Sequence, residues 1–261
     1  RYNKIVNSGL LDLIKAGRVD ESILKNIDGN SFLSNRTLKD IRKIANGESL
    51  ITTLKNPSEL NNISKHVEYG EVCELNGKLY VNDNGQAVEI KLSRQKFEEL
   101  FPPLTRVSFE QNALGDCWLV STIDNLMDMP GGRVALYKLF EQQGDDVLIK
   151  FPGVNESIKF PNGKSLKTPS GKQVVSPGQK TKGSGAEGTA EGIMMIEQAY
   201  AVHRLHNGSR AYDVNSPVTD ISIFIDVDGL MERARSGWQS EALNEIFGRQ
   251  ISTSQYGRNI S

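Results

Sequence analysis

Apolar residues along the chain recur at two spacings, and each spacing dominates its own stretch of the sequence. Residues 1–69 carry apolar residues at helical spacing, and glycines interrupt them at short intervals. This pattern predicts short helices joined by tight turns, because apolar residues at that spacing share one face of a helix. The clearest of these helices is capped near Asn35 and aligns Leu38, Ile41 and Ile44. Residues 1–69 are therefore predicted to form a helical accessory domain.

A different pattern over residues 70–100 predicts a small β-hairpin element and a connecting helix. Short β-type runs are separated there by Asn76-Gly77 and Asn84-Gly85. Asn-Gly is the strongest short hairpin signal, because both residues tolerate the positive φ of a two-residue turn. A helix is predicted at 93–100, and it should stop before Pro102, since proline disfavours helical backbone in the residue that precedes it.

Residues 101–261 return to helical spacing and are predicted to be mainly helical. Pro130-Gly131-Gly132 is expected to end the first helix, since proline and glycine are poor helix formers. Residues 161–188 are rich in Gly, Pro and Lys and are predicted to form a long mobile loop. The whole chain is predicted to be an α+β protein. The predicted helices are 118–127, 134–140, 193–205, 226–235 and 239–247, and the predicted strands are 147–151 and 158–160.

The composition of the chain excludes several classes of function. Lys and Arg number 31 and Asp and Glu 32, so the net charge of -1 leaves no electrostatic footprint for nucleic acid or an anionic membrane. No apolar run approaches the roughly 18 residues of a membrane span. The chain starts without a methionine and without a secretory apolar region, which predicts an excised piece of a longer protein. Two cysteines without zinc-type spacing predict reduced thiols and a cytoplasmic setting, with secretion inside a longer chain left open.

The stretch QNALGDCW combines the residue types that nucleophilic catalysis by cysteine needs. Cys117 stands where a helix is predicted to begin, and the positive end of a helix dipole lowers a thiol pKa from about 8.5. Gly115 permits a tight approach, and Asp116 is a candidate helix cap. Gln111 can fold back to donate a hydrogen bond to an oxyanion, with the Cys117 backbone N–H as the second donor.

The alternative for Cys117 is a small buried apolar residue at a helix start, which is the usual environment of a free cysteine. Cys73 lies inside the hairpin pattern and is assigned to that structural role. A buried thiol in apolar surroundings keeps its proton and is inert. The two cysteines are therefore predicted to differ in reactivity.

Residues 111–126, QNALGDCWLVSTIDNL, resemble the nucleophile segment of the calpain-like cysteine proteases, members of the papain superfamily. Further along, AEG at 186–188, IEQAYA at 196–201 and NGS at 207–209 resemble the "AEG … LEKAYAK … NGS" helix of that family, in the same order. The likeness covers about residues 100–248. The first of these motifs is fairly specific, and the second corroborates it.

The resemblance implies that residues 101–261 are the first protease subdomain of that family, a mainly helical papain-like nucleophile lobe. It implies an endopeptidase that cleaves protein or peptide substrates through a thioester. Cys117 would be the nucleophile and Gln111 the donor to the oxyanion. Gly115, Asp116 and Trp118 would shape the substrate cleft.

The histidine and asparagine of the family are missing from this chain. In papain-like proteases they follow the cysteine by about 130–150 residues, but no histidine follows His206. His203 and His206 stand too soon after Cys117 and are interpreted as structural histidines of a helix. A second protease subdomain or fragment is therefore expected to supply the base. Two alternatives stay open: a catalytically inactive calpain-like module acting in protein–protein interaction, and acyl transfer other than proteolysis.

No cofactor is expected to be required, although the family raises the question of calcium. Its calcium site in this subdomain uses an aspartate nine residues before the cysteine and the glutamate of AEG. Here Ser108 and Glu187 occupy those positions. Calcium needs several oxygen ligands, so one carboxylate makes Glu187 only a weak calcium candidate. The tryptophan that the family carries shortly after AEG is also replaced, by Gly192.

Overall fold

The computed structural model describes most residues between 35 and 248, and the described residues form an α+β protein. The predicted helices within residues 1–34 and at residues 226–235 lie outside the described part. The described ranges are 35–102, 110–111, 117–153, 157–160, 162, 166–167, 173–175, 186–187, 191–207 and 239–248.

Six α-helices, eleven strands and one 3-10 helix at Pro57–Lys65 make up the described part of the chain. The helices are α1 Asn35–Ala45, α2 Arg94–Leu100, α3 Cys117–Asp128, α4 Pro130–Tyr137, α5 Glu191–Asn207 and α6 Gln239–Phe247. The strands are β1 Thr52–Thr53, β2 Val72–Leu75, β3 Lys78–Asp83, β4 Gln86–Ile90, β5 Glu110–Gln111, β6 Phe140–Gln143, β7 Asp146–Ile149, β8 Ile158–Phe160, β9 Leu166–Lys167, β10 Gln173–Val175 and β11 Ala186–Glu187. The helices predicted at 118–127, 193–205 and 239–247 are confirmed.

The predicted hairpin element forms a four-stranded sheet in the order β1-β2-β3-β4. Strands β2, β3 and β4 are antiparallel neighbours, while the short β1 pairs with β2 in parallel. Both tight turns have positive φ at their central residues, with 51° and 78° at Asn76 and Gly77, and 49° and 96° at Asn84 and Gly85. This geometry matches the right-handed twist of the flanking strands, so both Asn-Gly predictions are confirmed.

Helix α2 connects the hairpin sheet to the rest of the molecule through aromatic contacts. The Ser93 side chain accepts a hydrogen bond of 3.2 Å from the Lys96 backbone N–H and starts the helix where the sequence predicts it. Phe101, directly after the helix, meets Tyr137 and Phe140 edge-on, with ring centroids 5.0 Å and 5.2 Å away. The hairpin sheet and the elements that follow α2 consequently share one continuous hydrophobic core.

Pro130-Gly131-Gly132 separates two helices as the sequence analysis expected, but the segment also belongs to the second helix, which corrects the predicted start at residue 134. Helix α3 ends at Asp128, but α4 starts at Pro130, because proline suits the first helical position, where its missing N–H is not needed. The helix predicted at 134–140 therefore ends at Tyr137, and Phe140 belongs to strand β6. Strands β6, β7 and β8 form an antiparallel sheet, which confirms the predicted strand pair and adds a third strand.

Residues 161–188 hold three short strands where the sequence analysis predicted a loop. Strand β9 pairs with β10, and β11 pairs with β5. Strands of two or three residues carry too little alternation of apolar and polar positions for a sequence pattern to detect. Apart from Asn162, the other residues of this segment lie outside the described part.

Helix α5 forms the centre of the fold, since every residue from 192 to 204 is buried. The apolar face predicted for this helix is buried. The polar residues that lie between these apolar residues along the helix are buried as well. A Cβ atom at Gly192 would lie 2.8 Å from the Phe101 ring and 2.9 Å from the Leu100 carbonyl oxygen. Gly192 therefore lets α5 pass closely against the end of α2, where a larger side chain has no room.

We expect Gly132→Ala to destabilise the fold, because its Cβ would lie 2.2 Å from the Leu126 carbonyl oxygen of α3. Forcing the two helices apart should cost about 1–3 kcal/mol, as overpacking of a core does. Gly131→Ala is the matched control, since its Cβ would meet only the movable Tyr69 side chain and alanine favours the helix by about 1 kcal/mol. Urea unfolding measures both free energies. Equal stabilities would contradict the close packing of α3 on α4.

Candidate functional site

Cys117 is the first residue of helix α3, where the sequence analysis expected a helix to begin. The first backbone N–H groups of a helix have no partner inside it and form the positive end of the helix dipole. A thiolate at this end is stabilised, which lowers the pKa of a cysteine below its usual value of about 8.5. Cys117 is placed by its backbone, while Gly115 and Asp116 lie outside the described residues.

Gln111 lies in strand β5, which pairs antiparallel with β11. The register sets Gln111 opposite Ala186, and Glu110 opposite Glu187. The strand that leads toward Cys117 therefore contacts the strand that leads toward helix α5. Sequence reasoning singled out both segments but did not predict that they pair, because the two strands are short and far apart along the chain.

Trp118 joins the start of α3 to the central helix α5. Its side chain is 7% exposed, and its ring meets Tyr200 edge-on at a centroid distance of 5.6 Å. The guanidinium carbon of Arg204 lies 4.5 Å from the centroid of the Trp118 ring, within the range of a cation–π contact. Thr122 Oγ1 donates a hydrogen bond of 2.6 Å to the Trp118 carbonyl. The neighbour of Cys117 is thus held in the core, and its role beside a substrate cleft stays a prediction.

A buried ion pair and a second polar contact join α5 to α6 next to Trp118. Arg204, only 1% exposed, contacts both carboxylate oxygens of Glu241, with Nε 3.2 Å from Oε1 and Nη2 2.8 Å from Oε2. His203 Nε2 lies 3.2 Å from Glu245 Oε2. A two-point contact between a guanidinium and a carboxylate is both strong and directional. Sequence reasoning missed Arg204 and Glu241, since residues 37 positions apart leave no local signal of their pairing.

The histidines whose side chains are described occupy structural positions. His203 is buried at the edge of the core, with its ring 5.3 Å from that of Phe151 and 6.0 Å from that of Tyr200. His66 is exposed at the end of the 3-10 helix. The His206 side chain lies outside the described part. The interpretation of His203 as a helix histidine at the core edge therefore agrees with its surroundings.

Cys73 has the inert environment that the sequence analysis assigned to it. It lies in strand β2, is fully buried and forms no disulfide. Burial raises the pKa of the Cys73 thiol to about 11, because the apolar surroundings disfavour the thiolate. The chain has only two cysteines, so Cys117 and Cys73 are not bonded to each other.

The calcium prediction for Glu187 concerns a residue that is placed by its backbone in β11. Among the described residues, no group of three or more His, Cys, Asp and Glu side chains could hold a metal ion. Glu187 is paired with Glu110 in the strand register, so this strand pair carries two glutamates. Calcium binding, and the expectation that no cofactor is required, stay predictions.

Two cavities of the described fold lie away from the start of α3. One of about 410 Å³ contacts Met127, near the opposite end of that helix, together with Ile44, Phe97 and Arg133. A second, of about 470 Å³, lies beside Phe247 at the end of α6. Neither cavity includes a lining residue from the first turn of α3.

Comparison with known proteins gives no match: no family model, no curated protein and no solved structure is significantly similar to this chain. None of the described helices combines the length and the apolar composition that crossing a membrane requires. The resemblance to calpain-like proteases therefore rests on the sequence motifs themselves.

We expect the free energy of unfolding to fall as the pH rises from about 9 to about 11, because Cys73 keeps its proton in the folded protein and loses it when unfolded. A pKa raised by folding stabilises the protein below the unfolded pKa, and this stability is lost as the pH passes the folded pKa. The loss should reach at most about 3 kcal/mol. Urea unfolding should show the stability advantage of wild type over Cys73→Ala shrinking across this range. An advantage that is constant with pH would contradict the assignment.

Proposed function

We propose that this chain is the nucleophile lobe of a calpain-like cysteine endopeptidase that cleaves proteins or peptides through a thioester. The observation that carries the proposal is the pairing of Gln111 with Ala186 in strands β5 and β11. This pairing joins the two segments whose sequences resemble the family, and the first of them continues to Cys117 at a helix start. Two motifs that meet in space are better evidence of one site than two motifs in sequence alone.

The proposed reaction begins when the Cys117 thiolate attacks the carbonyl carbon of a peptide bond. The oxygen becomes an oxyanion and accepts hydrogen bonds from the Gln111 side-chain amide and the Cys117 backbone N–H. The carbon–nitrogen bond then breaks, and the amine leaves with a proton from a histidine base. Water attacks the resulting thioester, releases the carboxylate product and returns the thiol.

The base of this reaction is proposed to come from a second protease subdomain or fragment that supplies histidine and asparagine. His203 is engaged with Glu245 and packs against Phe151, so its surroundings support a structural role. The helix start at Cys117 supplies one part of thiol activation, and an imidazolium from the second subdomain would supply the other. A cytoplasmic location, where thiols stay reduced, agrees with this chemistry.

The alternative function is a catalytically inactive calpain-like module that acts in protein–protein interaction. It shares with the first proposal a His203 that is engaged with Glu245, and it differs in that no second subdomain supplies a base. The two functions differ in the chemistry of Cys117. The endopeptidase needs a thiol that adds to a carbonyl, whereas the interaction module does not.

We expect a peptide aldehyde labelled with carbon-13 at its carbonyl to add to Cys117, and NMR to detect the tetrahedral thiohemiacetal carbon. The Cys117 sulfur bonds to the carbonyl carbon in this adduct, and the carbonyl oxygen takes the proton. Cys117→Ser should abolish the signal. Gln111→Ala should weaken the adduct by about tenfold or more, since a lost donor to an oxyanion usually costs at least that much.

Gln143→Ala is the matched control for this experiment, because Gln143 is an exposed glutamine of strand β6. It should leave the adduct unchanged. An aldehyde that gives no adduct with folded wild-type protein in the presence of the second protease subdomain would favour the interaction module. Equal affinities in Gln111→Ala and Gln143→Ala would remove Gln111 from the proposed oxyanion site.

A further inference from the structure

Arg204, which pairs with Glu241, contacts the ring of Trp118, the residue that follows Cys117. Arg204 lies 4.5 Å from the Trp118 ring and 5.5 Å from the Tyr200 ring, measured from its guanidinium carbon. Glu241 contacts the guanidinium at two points, through a hydrogen bond of 3.2 Å from Nε and an ion contact of 2.8 Å with Nη2. A planar guanidinium fixed at two points keeps its plane as well as its position. The Trp118 ring therefore packs against a surface that is itself held in place.

A gain in folding stability does not explain why Arg204 and Glu241 are buried as an ion pair. Arg204 is 1% exposed and Glu241 is 9% exposed, so both charges have left water. The cost of removing two charges from water can exceed their attraction, and apolar residues of similar size often stabilise a core as well or better. Geometry is the property that apolar residues would not reproduce, because they lack the directional two-point contact.

A second connection links helix α6 to the same turn of α3. Gln239 Nε2 donates a hydrogen bond of 3.3 Å to Ser121 Oγ. Ser121 Oγ in turn donates to the Trp118 carbonyl at 3.4 Å, beside the shorter bond from Thr122. Helix α6 thus reaches the Trp118 backbone through Ser121, and it reaches the Trp118 ring through Glu241 and Arg204.

We infer that Arg204 and Glu241 are positioning residues that hold Trp118, and through it Cys117, in the orientation that the acyl-transfer reaction requires. The inference rests on the proposed function, since it names residues that serve the nucleophile without touching substrate. Arg204 orients the Trp118 ring, and Glu241 orients Arg204. Displacement of the ring would move the first turn of α3, and with it the backbone N–H groups on which the proposed thiolate depends.

The test is the rate of Cys117 alkylation by iodoacetamide as a function of pH, read by mass mapping of peptides, with buried Cys73 as the internal control. Arg204→Met and Glu241→Gln should each raise the midpoint of the Cys117 profile by about one pH unit or more, which lowers the rate at acidic pH about tenfold. Arg204→Lys keeps the charge but not the planar two-point contact, so it should behave like Arg204→Met.

Arg133→Met is the matched control for loss of a buried arginine. Arg133 is 2% exposed and donates to the Met127 and Asp128 carbonyls at the opposite end of α3. This variant should lower the free energy of unfolding without moving the midpoint of the Cys117 profile in the folded protein. Glu241→Gln preserves side-chain size and serves as the second variant where Arg204→Met fails to fold.

The outcomes separate the inference from the proposed function. A wild-type midpoint near that of an ordinary thiol, about 8.5, would overturn the inference, and it would overturn the proposed function as well if it persists with the second protease subdomain present. A low wild-type midpoint that persists in Glu241→Gln and the Arg204 variants would overturn the inference and leave the proposed function standing. Full rescue by Arg204→Lys would assign the effect to charge and overturn the role of the planar contact. If Arg133→Met raised the midpoint as much as Glu241→Gln does, the inference would also be overturned.

Discussion

Trp118 packs against Tyr200 and Arg204, and these contacts hold the first turn of the helix that begins at Cys117, on which the candidate site depends. The ring cannot move without opening the core around the central helix α5. Arg204 cannot move without separating a buried charge from Glu241, and breaking such a pair is strongly unfavourable. Because Trp118 follows Cys117 directly, these constraints act within one peptide unit of the proposed nucleophile.

Helix α3 is also held at its other end, so the whole helix serves as a rigid support. Arg133 donates hydrogen bonds of 3.0 Å and 3.1 Å to the carbonyls of Met127 and Asp128 in the last turn of the helix. Gly132 lets α4 pass against Leu126 at a distance that admits no side chain. A reacting group placed on such a support keeps its geometry without further cost during the reaction, which is what preorganised catalysis requires.

The parts of the fold that follow from local chemistry were predictable from the sequence. Asn76-Gly77 and Asn84-Gly85 adopt the positive φ values that their turns need, and Ser93 caps the helix that it was expected to start. Pro130 was expected to end a helix, and α3 does end before it. The start of α4 at Pro130 itself was not predicted, because proline is compatible with both roles.

The candidate site was predictable only in part, for a different reason. The position of Cys117 at a helix start follows from the apolar stripe behind it. The pairing of Gln111 with Ala186 and the burial of Arg204 against Glu241 depend on contacts between distant segments. A charged residue inside an apolar helix indicates either an exposed position or a buried partner, and the sequence names no partner. Tertiary structure was needed to find it.

The pKa of the Cys117 thiol distinguishes the proposed catalytic lobe from the catalytically inactive interaction module. The most direct measurement is the thiolate absorbance in the far ultraviolet as a function of pH, taken as the difference between wild type and Cys117→Ala. The helix start and its fixed tryptophan predict a midpoint clearly below the ordinary value of about 8.5. A midpoint at or above that value, measured with the second protease subdomain present, would contradict an activated nucleophile at Cys117.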